Sequence, residues 1–105
     1  MSDAWHWLEP RIAAAPEVLR ERLRSALNAS KNTRALHEQL ADGAFECLRA
    51  ALQRPAHRAS AIDLLTADAL LTHACAAAAE AGPGELTRFT AALDAARFER
   101  LIEKT

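Results

Sequence analysis

The feature that most constrains the fold of this chain is its supply of apolar residues, which is mainly alanine and leucine. The sequence has 26 alanines, 15 leucines and no tyrosine, and its only β-branched apolar residues are Ile12, Val18, Ile62 and Ile102. Alanine and leucine lose little freedom in a helix, whereas strands favour branched and aromatic side chains. The sequence therefore predicts an all-α fold. A GC-rich genome, common among bacteria, enriches the same residues, so the excess indicates no activity.

The length and overall composition indicate one small domain. A chain of 105 residues has the usual size of a single domain and can bury roughly two-thirds of its unfolded surface. Half of the residues are hydrophobic and 26% are charged, the balance of an ordinary globular protein. No internal repeat or low-complexity linker divides the chain. We expect a single helical domain over residues 1–105.

Proline, glycine and capping residues divide the chain into a short N-terminal helix and four main helices. Pro16 opens the second helix, Pro55 follows the third, and the Gly-Pro-Gly segment at 82–84 separates the last two. Ser60 with Asp63 three residues later matches a capping box in which Asp replaces the usual Glu. The predicted spans are 3–8, 16–27, 33–53, 60–81 and 85–103. Their short connections predict a small antiparallel bundle.

The last two predicted helices carry more apolar surface than one small bundle readily buries. The helix at 60–81 is apolar on most sides, which predicts a central position. The helix at 85–103 has two apolar stripes, and the one formed by Ala95, Phe98 and Ile102 requires a second surface. This surplus predicts a non-enzymatic interaction or assembly module that self-associates or docks on a larger protein. A twofold homodimer is the first arrangement to expect, because it is the commonest oligomer.

Two of the five aromatic residues, Trp5 and Trp7, lie near the N-terminus. They point in different directions on a helix, so at most one of them occupies the centre of a single buried face. Tryptophan is enriched among the residues that dominate protein interfaces. The pair is therefore either a lid over the end of the bundle or a set of anchors for a partner, and the sequence leaves both interpretations open.

The alternative function is a metal- or small-ligand-binding bundle with a site near His37, Cys47, His73 and Cys75, together with Asp68. Imidazole and thiolate groups suit zinc. The spacing argues against a site, since Cys47 lies ten residues, or about 15 Å, beyond His37 on one helix. Neither cysteine has a second ligand three or four residues away. We predict no cofactor, no metal and no catalytic residue, because motifs for di-iron, phosphate or nucleophile sites are missing from the sequence.

Charge and cysteine usage bear on partners and location. Residues 11–34 hold six arginine or lysine residues against two glutamates, a local charge of +4 in a chain of net charge −1. A nucleic-acid binder normally has a stronger basic footprint, so we expect a protein partner instead. No signal-peptide pattern opens the sequence, and the apolar run at 74–79 is far shorter than a membrane span. We expect a cytoplasmic protein with reduced thiols and no membrane span.

Overall fold

The computed structural model describes residues 3–28 and 34–93, which form five α-helices and one 3₁₀ turn. In chain order these are α1 (Asp3–Leu8), the 3₁₀ turn (Glu9–Ile12), α2 (Glu17–Asn28), α3 (Leu36–Gln53), α4 (Arg58–Ala81) and α5 (Pro83–Ala92). No strand occurs within these two ranges. The prediction of an all-α fold is confirmed for the part of the chain that the structure describes.

The start of α4 differs from the prediction because another residue caps the helix. His57 has an extended backbone, and its side chain accepts a hydrogen bond from the Ala59 N–H at 3.3 Å. Ser60 instead donates its hydroxyl to the Arg54 carbonyl, and Asp63 pairs with a residue of α2. The predicted Ser60 and Asp63 cap was therefore wrong, and α4 begins two residues earlier than expected.

The connections on either side of α4 follow from local backbone chemistry. The N–H of Arg54 bonds to the Ala51 carbonyl at 3.2 Å at the end of α3, and Pro55 prevents the helix from continuing. At the other end, Gly82 has a φ of 134°, which is unfavourable for residues with a side chain. Pro83 then opens α5 in the first-turn position that proline favours. These two breaks fix both ends of α4.

α5 covers residues 85–92 of the helix that was predicted at 85–103. The helix ends at Ala92, where the N–H of Leu93 bonds to the carbonyls of Phe89 and Thr90 at 3.2 Å. Residues 94–105 lie outside the described residues, and the predicted contact residues Ala95, Phe98 and Ile102 are among them.

The core is built where α1, α2, α3 and α4 meet. Its largest fully buried apolar side chains are Trp5, Leu8, Leu23, Leu27, Leu40 and Leu70. The central position predicted for the helix at 60–81 agrees with the structure, since α4 packs against α2, α3 and α5. Gly43 of α3 allows this approach, because a Cβ there would lie 3.2 Å from Leu70 Cδ1 and 3.5 Å from Leu27 Cδ2.

Candidate functional site

The candidate site is a surface on α4. Exposed residues recur every three or four positions between Ala61 and Ala79, so they lie on one side of the helix. We refer to this set as the outer face of α4. Its members share high exposure and include a single charged side chain; they are Ala61, Leu64, Leu65, Asp68, Thr72, Ala76 and Ala79.

Two exposed leucines make the outer face mainly apolar. Leu64 and Leu65 are 51% and 56% exposed, although α4 is the central helix of the fold. Burying a whole leucine side chain contributes about 1.5–3 kcal/mol, so covering each of these would contribute about 1 kcal/mol. The Thr72 hydroxyl donates to the Asp68 carbonyl at 2.8 Å and therefore already has a partner. The outer face thus offers mainly apolar contact.

An open groove lies beside the outer face, between α2, the end of α3 and the start of α4. Its volume is about 620 Å³. Val18 of α2 is 63% exposed and lines it, as does Ile62, which is one helical turn from Leu65. The other lining residues are Glu21, Arg22, Ser25, Ala50, Gln53, Arg54, Ala59 and Asp63. The groove extends the apolar surface of α4 toward α2.

An ion pair in the groove joins α2 to α4. Arg22 Nε donates to Asp63 Oδ1 at 2.6 Å, and Asp63 is buried. Burial opposes the charge of Arg22, but the hydrogen bond to Asp63 and the nearby charges of Asp63 and Glu46 together outweigh it and raise the pKa of the guanidinium above its usual value. Because each charge has a partner on the other helix, the pair holds α2 and α4 together.

Cys47 lies in the core near this ion pair. Its side chain is fully buried, and burial raises the pKa of the thiol to about 11, although the charge of Arg22 acts in the opposite direction. Only the thiolate is a good nucleophile or metal ligand. At neutral pH Cys47 is therefore a neutral, structural residue.

The structure does not bring the predicted metal candidates together. His37 packs edge-to-face on Phe89 at 5.5 Å between ring centres, with its Nε2 3.9 Å from Glu85 Oε2, and so links α3 to α5. His73 instead packs on Trp7 at 6.2 Å, and Cys75 is partly buried. Within residues 3–28 and 34–93, no group of three or more His, Cys, Asp or Glu side chains is placed to hold a metal ion.

The two tryptophans have different environments. Trp5 is fully buried within the chain, and the Arg24 guanidinium lies 5.1 Å from its ring centre. Trp7 is partly buried, with the Arg11 guanidinium 3.8 Å from its ring centre. Trp5 is thus part of the core, whereas Trp7 keeps some exposed surface.

The arginines of the basic segment are engaged within the chain. Arg22 pairs with Asp63, Arg24 with Glu21 at 3.6 Å, and Arg20 with Glu9 at 4.0 Å. Similar pairs join Arg11 to Glu80, and Arg34 to Glu38 and Asp42. Each of these guanidinium groups therefore already faces a carboxylate.

Sequence reasoning missed the most informative surface residues. A helix that is apolar on most sides gives no signal of which side its neighbours leave uncovered, so Leu64 and Leu65 were not singled out. Val18 lies in the first turn of α2 and was likewise missed. Asp63 was noticed, but as a helix cap, because its partner Arg22 is 41 residues away in the sequence.

Comparison of the chain with protein-family models, with curated proteins and with solved structures finds no match. Among the described residues, only α4 has the length and the apolar composition that crossing a membrane requires. Its most apolar window has a mean hydropathy of 1.3. The core helix of a soluble protein passes the same test.

Proposed function

We propose that this chain is a non-enzymatic protein–protein interaction or assembly module, which self-associates or docks on a larger protein through the outer face of α4. The observation that carries the proposal is the exposure of Leu64 and Leu65, each more than half exposed on a face with one charged side chain. Single exposed leucines are common, but a continuous apolar face marks an interaction site.

The dimensions and composition of the face support a helix partner. From Ala61 to Ala79 it extends about 27 Å, at 1.5 Å for each residue. The centres of protein interfaces are depleted of charged residues, and here Asp68 is the only one. Alanines at both ends allow another helix to approach closely.

The chemistry of the described residues supports a binding role over a catalytic one. The buried thiol of Cys47 is neutral, and the carboxylate of Asp63 is occupied by Arg22. The paired arginines of the basic segment favour a protein partner over nucleic acid. We further propose an antiparallel order of the helices, which the four-residue connection between α3 and α4 supports, and a cytoplasmic location.

The mass of the purified protein in solution tests self-association. We expect light scattering to show a mass that rises with concentration in the wild type and remains that of a monomer in Leu65→Glu. The matched control is Leu52→Glu, since Leu52 is a 41% exposed leucine of α3 and does not belong to the outer face. A response of both variants to the same degree would contradict the assignment of the surface.

Docking on a larger protein is tested by a photoreactive residue in place of Leu65, with Leu52 as the control position. In cells that naturally produce the chain, a product heavier than a dimer at position 65 alone would indicate a larger partner. A monomeric wild type in light scattering, together with no cross-linked product at position 65, would overturn the proposed function.

A further inference from the structure

Residues on and beside the outer face of α4 have the spacing of a coiled-coil seam. Counting the partly buried Cys75, successive members lie 4, 3, 4, 3 and 4 residues apart, as in a helix that packs along another helix. The six residues of this seam are Ala61, Leu65, Asp68, Thr72, Cys75 and Ala79. A seam of this kind fits an α-helix of similar length, lying nearly parallel or antiparallel to α4.

The seam is symmetric about the position of Leu70. When the helix is reversed about this point, Ala61 exchanges with Ala79, Leu65 with Cys75, and Asp68 with Thr72. A second copy of α4, running antiparallel, therefore meets the first copy in register along the whole seam. In this register the leucine of each copy lies against a small side chain of the other.

The charges of α4 favour the same orientation. In a parallel pair, Asp68 would face Asp68 and Arg58 would face Arg58, so like charges would repel. In an antiparallel pair, the carboxylate of Asp68 faces the neutral Thr72. At the ends of the helix the exposed Arg58 approaches the exposed Glu80 of the second copy, so opposite charges attract.

Glu80 can take part in such a pair without losing its contact within the chain. Its carboxylate lies 3.7 Å from the Arg11 guanidinium and is 56% exposed, so one oxygen remains open to a second cation. The helix dipoles also attract in an antiparallel pair, because each positive N-terminus lies beside a negative C-terminus.

We propose that the occupant of the outer face is a second copy of this chain. The two α4 helices pack antiparallel about a twofold axis that crosses the pair at the level of residue 70. The inference rests on the proposed function, and it adds the identity of the partner, the orientation and the register. It makes Leu65 and Cys75 of opposite copies direct neighbours.

Disulfide trapping tests the register, because a disulfide forms only when the two Cα atoms approach to about 4.4–6.8 Å. In the Leu65→Cys variant, with oxidised glutathione as the oxidant, the introduced thiol should form an intermolecular disulfide with the native Cys75 thiol. Within one chain these positions lie about 15 Å apart, so no internal bond competes. Cys47 is fully buried and does not react.

Removal of Cys75 separates the two orientations. In an antiparallel pair, Leu65→Cys combined with Cys75→Ala should lose the cross-link, since position 65 lies about 15 Å from its own equivalent. In a parallel pair, the cross-link would persist in the double variant, and Cys75 would cross-link to itself in the wild type. Leu52→Cys is the control for random collision and should give no product.

A second pair of positions covers the case in which the loss of Leu65 weakens the dimer. In the Cys75→Ala background, Ala61→Cys and Ala79→Cys should cross-link when mixed and should not when incubated alone. A cross-link of either variant with itself would overturn the antiparallel register but leave the proposed function intact. A monomeric wild type in light scattering, with no cross-link in any variant, would overturn the homodimer and leave docking on a larger protein as the proposed function.

Discussion

The two faces of the first half of α4 reverse the usual distribution of residues between the interior and the surface. The face toward α2 and α3 buries three polar side chains, Ser60, Asp63 and Thr66. The opposite face exposes three apolar ones, Ala61, Leu64 and Leu65. Both sets lie on the same two turns of helix, so the contrast reflects their neighbours and not their position along the chain.

The difference shows which face of α4 has all its partners within one chain. Each inner polar group has a partner: Ser60 donates to the Arg54 carbonyl, Thr66 donates to the Ile62 carbonyl at 2.7 Å, and Asp63 accepts from Arg22. A buried polar group left without a partner would cost about 1–3 kcal/mol. The outer leucines, in contrast, are not buried by any of the described residues. The outer face therefore indicates a partner.

The largest expected effect compares one leucine from each side of α4. Leu70 is fully buried beside Gly43, whereas Leu65 is 56% exposed. Leu70→Ala should lower the free energy of unfolding by about 3 kcal/mol, because it leaves a cavity in the core. Leu65→Ala should change it by less than about 0.5 kcal/mol at low micromolar concentration, as surface substitutions do. Urea unfolding followed by circular dichroism measures both; equal losses would mean that the two faces do not differ.

A smaller effect is expected from two aspartates of the same helix. Asp63→Ala leaves Arg22 partly buried without its carboxylate, and breaking a buried pair costs about 3–5 kcal/mol. Since the Arg22 side chain is 27% exposed, we expect a loss of about 2 kcal/mol. Asp68→Ala, on the outer face, should lie within about 0.5 kcal/mol of the wild type. Urea unfolding measures the free energy of unfolding of both variants. An equal loss in Asp68→Ala and Asp63→Ala would contradict the difference between the two faces.

The sequence was sufficient for the fold class and for most helix ends, because these depend on local chemistry. Alanine and leucine favour helix, Pro16 precedes α2, and Gly82 with Pro83 separates α4 from α5. The predicted start of α4 was wrong because Ser60 and Asp63 fit a local capping pattern. The actual partner of Ser60 lies six residues earlier in the chain, and that of Asp63 lies on another helix. Long-range pairing overrode the local signal.

The candidate site was predictable only in outline. An excess of apolar surface on the central helix follows from its composition, yet which leucines remain uncovered depends on how α2, α3 and α5 pack around it. Leu64 and Leu70 look alike in the sequence, and the first is 51% exposed while the second is fully buried. The structure also separates His37, Cys47, His73 and Cys75, because residues suited to one ligand set lie in different contacts.

The smallest expected effect concerns His73, which lies at the boundary between the two faces of α4. Burial against Trp7 lowers the pKa of His73, and the charge of Arg11 lowers it further. The folded protein therefore binds this proton less readily than the unfolded chain, whose histidine pKa is about 6.5. The stability is complete above that pH and should decrease as the pH falls through it toward the folded-state pKa. Urea unfolding between about pH 7.5 and about pH 5.5 should show this decrease, and His73→Gln should reduce it. An unchanged pH dependence in His73→Gln would contradict a lowered pKa of His73 in the folded protein and its burial against Trp7.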